Sequence, residues 1–501
     1  MTRRSVPNTF LRLSKGGRFS LRLEIQKVLL ALASAIAVVS MSSCVVGPKY
    51  KAVTPAIGPL KNASLVEARK ASSDAPPLGT WWVGFQDPVL TKIIDRALEQ
   101  NLDLASALAR IAQARGAAKE AGAKLKPSSD LTAQSQSFRQ SLDSPVGRYA
   151  NLFPSFDRNQ SYLDLGVGAT WELDLFGGLR RGVEAATDEF QAAEAEGVGV
   201  RISVAAEAAD AYMQVRGAQL RRALAREQVE TDDHLRQLVA QRREAGIASD
   251  RELAQAEALL SQARASIPAI EIVLDAQLNR LDVLMGAQPG TYEKELEKPA
   301  GLPVLPAIPP LAEPSQLMRR RPDIIAAERR VAASNARIGQ ALSEYYPKLS
   351  LSGLLGSQAI GAGDLFREKA FQPVATAGLR WRLFDFGRVD AQVRQAKGAN
   401  AEALAQYRNS VLHAAEDIEN AFFSLVQYEA TQAEVNTQID ALQRVKDRSQ
   451  DAYEAGVIPL TDLLDADRQL LVARDLLAVA RESAARATVA SFRALGGGWN
   501  P

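Results

Sequence analysis

The sequence predicts a mainly α-helical protein with a β-barrel portion: two copies of a long antiparallel helical hairpin and four membrane-spanning strands per chain. Three observations lead to this fold class. The chain repeats itself at a fixed offset, each copy holds a long stretch without proline, and shorter segments alternate apolar with polar residues. Proline-free stretches favour helices, and alternation with a period of two favours strands.

Composition excludes several classes of protein. The chain has 501 residues, 47% hydrophobic and 24% charged, which is too apolar for a disordered protein. Lys and Arg total 60 against 58 for Asp and Glu, so no broad basic surface for nucleic acid is expected. Two histidines and one cysteine exclude a metal site with several such ligands. No catalytic motif is present, and we expect neither an enzyme nor a cofactor.

The N-terminus reads as a targeting segment. Residues 1–43 carry seven basic groups and one acid, with a twelve-residue apolar run at 28–39, which predicts a signal peptide. The sole cysteine, Cys44, follows small residues and occupies the position of a lipidated cysteine in bacterial lipoproteins. The alternative is an ordinary signal peptide beside an incidental thiol. Residues 44–86 form the predicted lipidated leader, and the mixed Pro, Ala, Ser and Lys at 49–77 indicate an extended chain without its own core.

An internal repeat organises the rest of the chain. Trp171 and Gly177 recur 210 positions later as Trp381 and Gly387, and Pro127 recurs 220 positions later as Pro347. The first copy therefore contains ten extra residues between its proline and its tryptophan. We predict a first repeat at 87–298, a Pro-rich bridge at 299–314, a second repeat at 315–498 and a short tail at 499–501.

Each repeat predicts a long helical hairpin. Proline-free stretches at 178–244 and 388–455 predict helices of roughly 100 Å at 1.5 Å per residue. Each ends at a glycine turn, Gly246 or Gly456, after which a return helix follows. The return helices carry Leu or Ile at every seventh position, which is the pattern of a coiled-coil seam.

Four segments predict strands. Apolar residues alternate with polar ones at 163–173 and 375–383, less regularly at 349–355 and weakly at 128–138. This pattern is typical of membrane β-barrels, with lipid on one face and water on the other. The alternative is a sheet packed at the edge of a soluble domain. Because four strands cannot close a barrel and open edges are not tolerated in lipid, spanning strands require an oligomer.

Six short motifs in order resemble the TolC-like outer-membrane efflux channels, in the lipoprotein branch that serves resistance-nodulation-division (RND) pumps. The resemblance implies a homotrimer in the outer membrane, with one twelve-stranded barrel, a helical α-barrel tunnel, a periplasmic adaptor protein and an RND-type inner-membrane pump. The motifs are Cys44-Val45-Val46-Gly47-Pro48-Lys49-Tyr50, Trp81-Trp82 with Phe85-Gln86-Asp87-Pro88, Asn101-Leu102-Asp103-Leu104, Arg320-Arg321-Pro322-Asp323-Ile324, Leu383-Phe384-Asp385-Phe386-Gly387 and Ala494-Leu495-Gly496-Gly497-Gly498-Trp499.

The same resemblance implies a gate near the second turn. Asp462 and Asp465 fall where the family rings its constriction with acids, and Tyr453 falls where it has a tyrosine in the closing hydrogen-bond network. The alternative for the aspartates is a structural role, because acids in a first helical turn favour the macrodipole and Thr461 could cap the helix. Ile458 departs from the family pattern, which has an arginine at that position.

The turns at Gly246 and Gly456 resemble adaptor contact points, although glycine also ends helices without any partner. The function implied is a passive exit duct for small molecules, such as drugs and toxic compounds, delivered by a pump and an adaptor. The rival is a structural envelope lipoprotein, a coiled-coil strut with no pore, which would need no lipid-facing strands. An uptake porin is disfavoured by the two long helices.

Overall fold

A computed structural model describes residues 45–54, 57–69, 73–310 and 313–500. The predicted signal peptide, residues 1–43, and the predicted lipidation site Cys44 lie outside the described residues. The described chain forms two compact units. The first comprises residues 45–49, 119–184 and 335–397, and the second comprises the remainder.

Helices dominate the described chain, and four strands accompany them. The helices are α1 (Ala63–Glu67), α2 (Pro88–Gln100), α3 (Leu102–Ala123), α4 (Pro145–Ala150), α5 (Gly178–Glu244), α6 (Asp250–Leu284), α7 (Glu293–Leu296), α8 (Pro314–Arg320), α9 (Pro322–Ser343), α10 (Arg388–Glu454) and α11 (Leu460–Ala494). The strands are β1 (Ser128–Arg139), β2 (Asn159–Leu173), β3 (Lys348–Ala359) and β4 (Phe371–Arg380).

The internal repeat is visible in the lengths of these elements. The two long helices, α5 and α10, have 67 residues each, and the return helices α6 and α11 have 35 each. Helices α3 and α9 have 22 residues each, and β1 and β3 have 12 each. The extra residues of the first copy form α4 and its flanking loop between β1 and β2. The two halves of the chain therefore contain corresponding elements of equal length.

Both hairpins form as the sequence predicts. Leu260, Leu274 and Leu281 of the first return helix are buried, as are Leu463 and Leu470 of the second. These are positions of the predicted seven-residue seam, so the seam faces the protein interior. Within the described ranges, no helix combines the length and the hydrophobicity needed to cross a lipid bilayer.

The four strands form one antiparallel sheet in the order β1-β2-β3-β4. Residues opposite one another across the sheet share a face. One cross-sheet row on one face is apolar throughout: Leu131, Val167, Leu355 and Pro373. A row on the opposite face is polar throughout: Ser128, Thr170, Ser352 and Thr376. In these two rows, the register puts apolar residues on one face of the sheet and polar residues on the other, as in membrane strands.

The end of the fourth strand differs from the prediction. The alternation places Trp381 and Leu383 in a strand, but β4 ends at Arg380, which pairs with Lys348, the first residue of β3. Further extension has no strand to pair with in the single chain. Trp381 instead donates its indole N–H to the carbonyl of Tyr345 at 3.0 Å. The equivalent Trp171 makes the same type of bond, to Leu125 at 2.9 Å.

In the second unit, the leader joins the core of the helices that follow it. Trp81 and Phe85 are fully buried among residues of α2, α5 and α11, and Val66 packs against α8, α9 and α10. The leader also contacts the Pro-rich bridge, because Ser73 pairs with Pro306 and Arg69 donates to the Pro306 carbonyl at 2.7 Å. The described part of the leader is thus not wholly extended, since it contains α1 and a 3-10 helix at Leu78–Phe85, and it packs onto the following helices.

Candidate functional site

Two glycine turns form the tips of the hairpins. Gly246 and Gly456 both have φ of +73°, the left-handed conformation that ends a helix at low cost for glycine alone. Each next residue donates its backbone N–H back into the preceding helix, Ile247 to Arg242 at 2.8 Å and Val457 to Ala452 at 2.8 Å. The side chains of Ile247 and Val457 are 68% and 76% exposed, so packing within the chain does not account for their apolar character.

Tyr453 joins the two hairpins near their tips. Its side chain is buried against Val239 and Ala256 of the first hairpin and Leu463 of the second. Arg242 of α5 places its guanidinium 4.6 Å from the centre of the Tyr453 ring and donates to the Tyr453 carbonyl at 3.2 Å. Burial raises the pKa of the Tyr453 phenol, and the nearby Arg242 charge opposes that shift. The contact therefore combines apolar packing, cation–π attraction and one charged hydrogen bond.

The expected hydrogen bond through the Tyr453 hydroxyl is not formed within the chain. In the part of the chain that the structure describes, this buried oxygen has no hydrogen-bond partner. The tyrosine contacts the first hairpin through its ring and its backbone carbonyl instead.

Asp462 and Asp465 lie on the exposed face at the start of α11. Asp465 accepts from Arg468 at 2.8 Å and from Gln469 at 2.6 Å, both on the same helix. The hydroxyl of Thr461 is 3.5 Å from Asp462 Oδ1, the upper limit for a hydrogen bond. Asp462 thus makes fewer and weaker hydrogen bonds than Asp465.

The expected cap of α11 is not Thr461. The helix begins at Leu460, its N-cap is Pro459, and no side chain caps it. Thr461 is already inside the helix, two residues past the cap position. By contrast, the first return helix has a full capping box, in which Ser249 and Glu252 bond each other's backbone N–H. The second hairpin tip therefore has one stabilising device fewer than the first.

Ile458, which stands where the resemblance expects an arginine, packs against the apolar cluster at the tips. Arg242 supplies a cation to the same cluster from the other hairpin. The position of this cation could not be read from the motif, because its contacts depend on how α5 packs against α10.

The residues that follow Cys44 are fixed within the first unit. The backbone N–H of Val46 donates to the carbonyl of Phe176 at 3.1 Å. Arg181, at the start of α5, donates to the carbonyls of Val46 and Gly47 at 3.1 and 3.2 Å. Gly47 has φ of +99° and lies against the backbone of Gly339. This clamp holds the N-terminal end of the leader beside the sheet; the sequence offered no signal for it.

Gly47→Ala is expected to release this end of the leader. The new Cβ would overlap the Cα of Gly339, and φ of +99° disfavours any L side chain. Limited proteolysis should cut the leader several-fold faster than in the wild type. Gly58→Ala is the matched control, because it lies in the same leader and an added Cβ there meets nothing within 4 Å. Equal cleavage rates for both variants would contradict the clamp.

A buried polar network, also missed from the sequence, explains one of the motifs. Asp87 caps α2 by accepting from the backbone N–H of Val89 at 2.8 Å, and its other oxygen accepts from the Tyr212 hydroxyl at 2.6 Å. Arg216, only 3% exposed, donates to the Tyr212 oxygen at 2.9 Å and to Gln219 at 2.7 Å. Burial and the Asp87 carboxylate raise the pKa of the Tyr212 phenol. The network fixes α2 against α5.

A wide cavity of about 1340 Å³ lies in the second unit, between helices from both repeats. Its lining carries charges of both signs, among them Asp210, which pairs with Arg486 at 2.7 Å. A mixed polar lining of this kind suits a water-filled space better than a pocket for one apolar ligand.

The family model described as "Outer membrane efflux protein" matches residues 93–287 and 314–497, which coincide with the two repeats. Pyoverdine export outer membrane protein OpmQ of Pseudomonas aeruginosa is 31% identical over 437 residues, covering 85% of this chain and 89% of OpmQ. Outer membrane protein OprJ of the same species is 28% identical over 484 residues, covering 95% of this chain and 97% of OprJ.

Two solved structures share the fold. The outer-membrane channel OprN superposes with a TM-score of 0.83 at 33% identity, covering 91% of this chain and all of that one. The outer membrane protein VceC from Vibrio cholerae has a TM-score of 0.76 at 26% identity, covering 84% of this chain and 99% of that one. The sheet and the two helical hairpins are consistent with these matches. The chain belongs to the outer membrane efflux protein family, whose members are outer-membrane channels that extend into the periplasm.

Proposed function

We propose that three copies of this chain form one barrel and one tunnel, through which small molecules leave the cell. The duct is passive, and an RND-type pump with a periplasmic adaptor delivers the cargo to it. OpmQ is named for the export of pyoverdine. For this chain we propose small molecules such as drugs and toxic compounds. A strut without a pore would need no sheet with an apolar face, so that alternative is set aside.

One observation supports the proposed trimer: the sheet has an apolar face, and its two edge strands are each paired on one side only. β1 and β4 each pair with a single strand of the chain. Unpaired backbone N–H and C=O groups cost several kcal/mol each in the absence of water, so the edges must close before the strands can span a membrane. Closure by copies of the same chain pairs β4 of one protomer with β1 of the next.

The repeat supplies the register of this pairing. Within the chain, Ala169 of β2 pairs with Gly353 of β3. The offset of 210 carries Ala169 to Leu379 of β4, and the offset of 220 carries Gly353 back to Ala133 of β1. Leu379 of one protomer should therefore lie opposite Ala133 of the next. The same operation extends β4 as far as Leu383, because the next protomer provides the partner that a single chain lacks.

Cysteine cross-linking tests this register directly. Directly opposed residues in an antiparallel pair have Cα atoms about 4.5–5.5 Å apart, within the range that a disulfide spans. In Cys44→Ser chains, which are otherwise free of cysteine, the pair Ala133→Cys with Leu379→Cys should cross-link under mild oxidation to a covalent trimer. Denaturing gels should show dimer and trimer bands that vanish on reduction.

The control pair shifts the register by four residues on the same face. Ser137→Cys with Leu379→Cys places the thiols about 13 Å apart along the strand, too far for a disulfide. Cross-linking of this pair as efficient as that of the first would contradict the register. A single band of monomer for both pairs would contradict a closed ring of copies.

We also propose that Cys44 carries a lipid in the outer membrane. The clamp formed by Arg181 supports this, since it holds Val46 and Gly47 beside the sheet that would lie in the same bilayer. Mass spectrometry of the mature protein should find an acylated N-terminal Cys44. An unmodified N-terminus at another residue would sink the proposal.

The tips supply a gate and a docking surface. In a trimer, Asp462 and Asp465 from three chains would place six carboxylates around one axis, which attracts cations. The contact between Arg242 and Tyr453 would hold the second hairpin against the first in the closed state. We assign the exposed Ile247 and Val457, beside Gly246 and Gly456, to contact with the adaptor.

Asp462→Asn with Asp465→Asn is expected to lower cation preference and weaken block by divalent cations in planar-bilayer recordings. Conductance should change little, because Asn has nearly the same size as Asp. Asp440→Asn, an exposed acid on α10 of the same hairpin, should leave selectivity and block unchanged. If the double variant keeps both properties of the wild type, the two aspartates are ordinary first-turn helix acids.

A further inference from the structure

A buried pair of acids lies in the second unit, where the first hairpin packs against the second. Asp232 belongs to α5 and Asp467 to α11, and their exposed fractions are 1% and 3%. The nearby Arg221–Asp475 contact, 2.7 Å between Nε and Oδ1, joins the same two helices. The acids therefore lie within the seam that holds the hairpins together, where water cannot solvate a charge freely.

The contacts of the pair leave one charge uncompensated. Gln228 donates its side-chain N–H to Asp232 Oδ1 at 2.7 Å and also to Asp467 Oδ2. Lys446 of α10 forms an ion pair with Asp467. In the described part of the chain, Asp232 Oδ2 has no hydrogen-bond partner although it is fully buried. One ammonium group thus serves two buried carboxyl groups.

The other charged groups near the two acids form ion pairs with residues outside the pair. On α5, Asp233 binds Arg236 at 3.2 Å and lies 3.9 Å from Arg264 of α6. Glu227, which directly precedes Gln228 in α5, pairs with Arg474 at 3.3 Å. On α11, Arg468 is paired with Asp465.

A cavity of about 280 Å³ adjoins the pair. Asp467 lines it together with further titratable groups from α5 and α10. These are His234, Lys446, Tyr453 and Glu454. His234 is the one histidine in this lining, so any test must include a variant that removes its imidazole.

We propose that Asp232 and Asp467 bind one proton between them and that this proton is a latch on the seam between the two hairpins. The proton lies on Asp232, the acid without an ion-pair partner, while Asp467 remains ionised beside Lys446. Protonation turns the unpartnered Asp232 oxygen into a donor, and Gln228, which donates to both carboxyl groups, keeps the Asp467 carboxylate beside it as the acceptor. The latch then has one negative and one positive charge, which balance.

The direction of the pH dependence follows from this arrangement. Burial first, and then the negative Asp467, raise the pKa of Asp232 to about 6, against the opposing effects of Gln228 and Lys446. An acid with a raised pKa in the packed seam stabilises that seam fully below its solvated pKa, and the contribution is lost as pH rises through about 6. Mild acid therefore tightens the latch, and neutral or alkaline pH loosens it.

The first test is spectroscopic and does not depend on gating. Infrared difference spectra of the full-length protein in detergent, recorded between pH 5 and pH 8, should contain the C=O stretch of one buried protonated carboxyl group that is lost as pH rises. Asp232→Asn should remove this band. Asp233→Asn, one residue away and only partly buried, should keep it. A wild-type band that persists in Asp232→Asn would overturn the assignment.

The second test measures opening. In planar bilayers, the ratio of open to closed wild-type channels should rise tenfold to a hundredfold from pH 4 to pH 8, as the shift in the Asp232 pKa implies. In Asp232→Asn channels, the open-to-closed ratio should stay near the wild-type value at pH 4 throughout this range. Asp467→Asn removes the acceptor and should also abolish the pH dependence. His234→Gln should retain the dependence. Retention in Asp232→Asn, or loss in His234→Gln alone, would overturn the latch.

The two tests separate the possible failures. The infrared band of the carboxyl group could titrate as expected while the open-to-closed ratio of the channels does not change with pH. That result would show that the proton binds but does not hold the two hairpins together. That result overturns the latch and leaves the proposed duct untouched. If Asp232→Asn fails to fold, Asp467→Asn and the wild-type band still decide the question.

Discussion

Leu355→Arg is expected to prevent insertion of the protein into the outer membrane. Leu355 lies in the middle of β3, in the all-apolar row with Val167, and its side chain is 65% exposed in the single chain. A cation on a lipid-facing strand near the bilayer midplane costs about 2–4 kcal/mol. Three protomers would each bear that cost in one barrel. The fraction of protein recovered in the outer membrane, and its resistance to urea extraction, measure the effect.

Ser352→Arg is the matched control. Ser352 lies three residues away on the same strand, is also exposed, and belongs to the all-polar row with Thr170. An arginine there faces the side that we assign to the water-filled lumen. Insertion should remain near the wild-type level. If both variants insert equally well, or if Ser352→Arg is the worse of the two, the sheet faces have been assigned the wrong way round.

Local sequence rules predicted the helices because each signal lies inside the element that it defines. The absence of proline between Pro154 and Pro268 predicted α5, and the turn at Gly246 predicted where it ends. The copy was expected to end at residue 455, and α10 ends at Glu454. Alternation predicted the strands and their faces for the same reason.

The differences arise where the outcome depends on another part of the chain. Trp381 alternates correctly but lies outside β4, because a strand needs a partner that one chain does not provide at that edge. Thr461 is a good capping residue, but the helix begins before it. In both cases the residue type was right for the role, and its position relative to its neighbours decided the result.

The candidate site was predictable only in outline. The resemblance pointed to Tyr453, but its contact with Arg242 joins residues 211 positions apart on two different helices. The pairing of Asp232 with Asp467 spans a similar distance, and neither acid stands out among 58 in the sequence. Such contacts depend on how the helices pack, which no periodicity of a single segment reports.

Trp81→Ala is expected to be the most destabilising single substitution that we consider. Trp81 is fully buried, stacks on Phe492 of α11 with ring centres 5.4 Å apart, and meets Trp82 and Phe85 edge-on. Truncating a buried Trp to Ala removes about 3–5 kcal/mol from the free energy of unfolding, since the cavity cannot collapse fully. The denaturant midpoint of the purified protein in detergent should fall accordingly.

Trp81→Phe separates packing from hydrogen bonding at this site. In the described part of the chain, the Trp81 indole N–H has no hydrogen-bond partner, so the smaller ring loses volume but no bond. We expect a loss of about 1–2 kcal/mol, well below that of Trp81→Ala. The Trp81 ring also lies against Gly497, and the backbone N–H of Gly498 donates to the carbonyl of Leu78 at 2.7 Å. These two contacts connect the leader to the C-terminal end of the chain. If Trp81→Phe costs as much as Trp81→Ala, the indole makes a polar contact that packing alone does not explain.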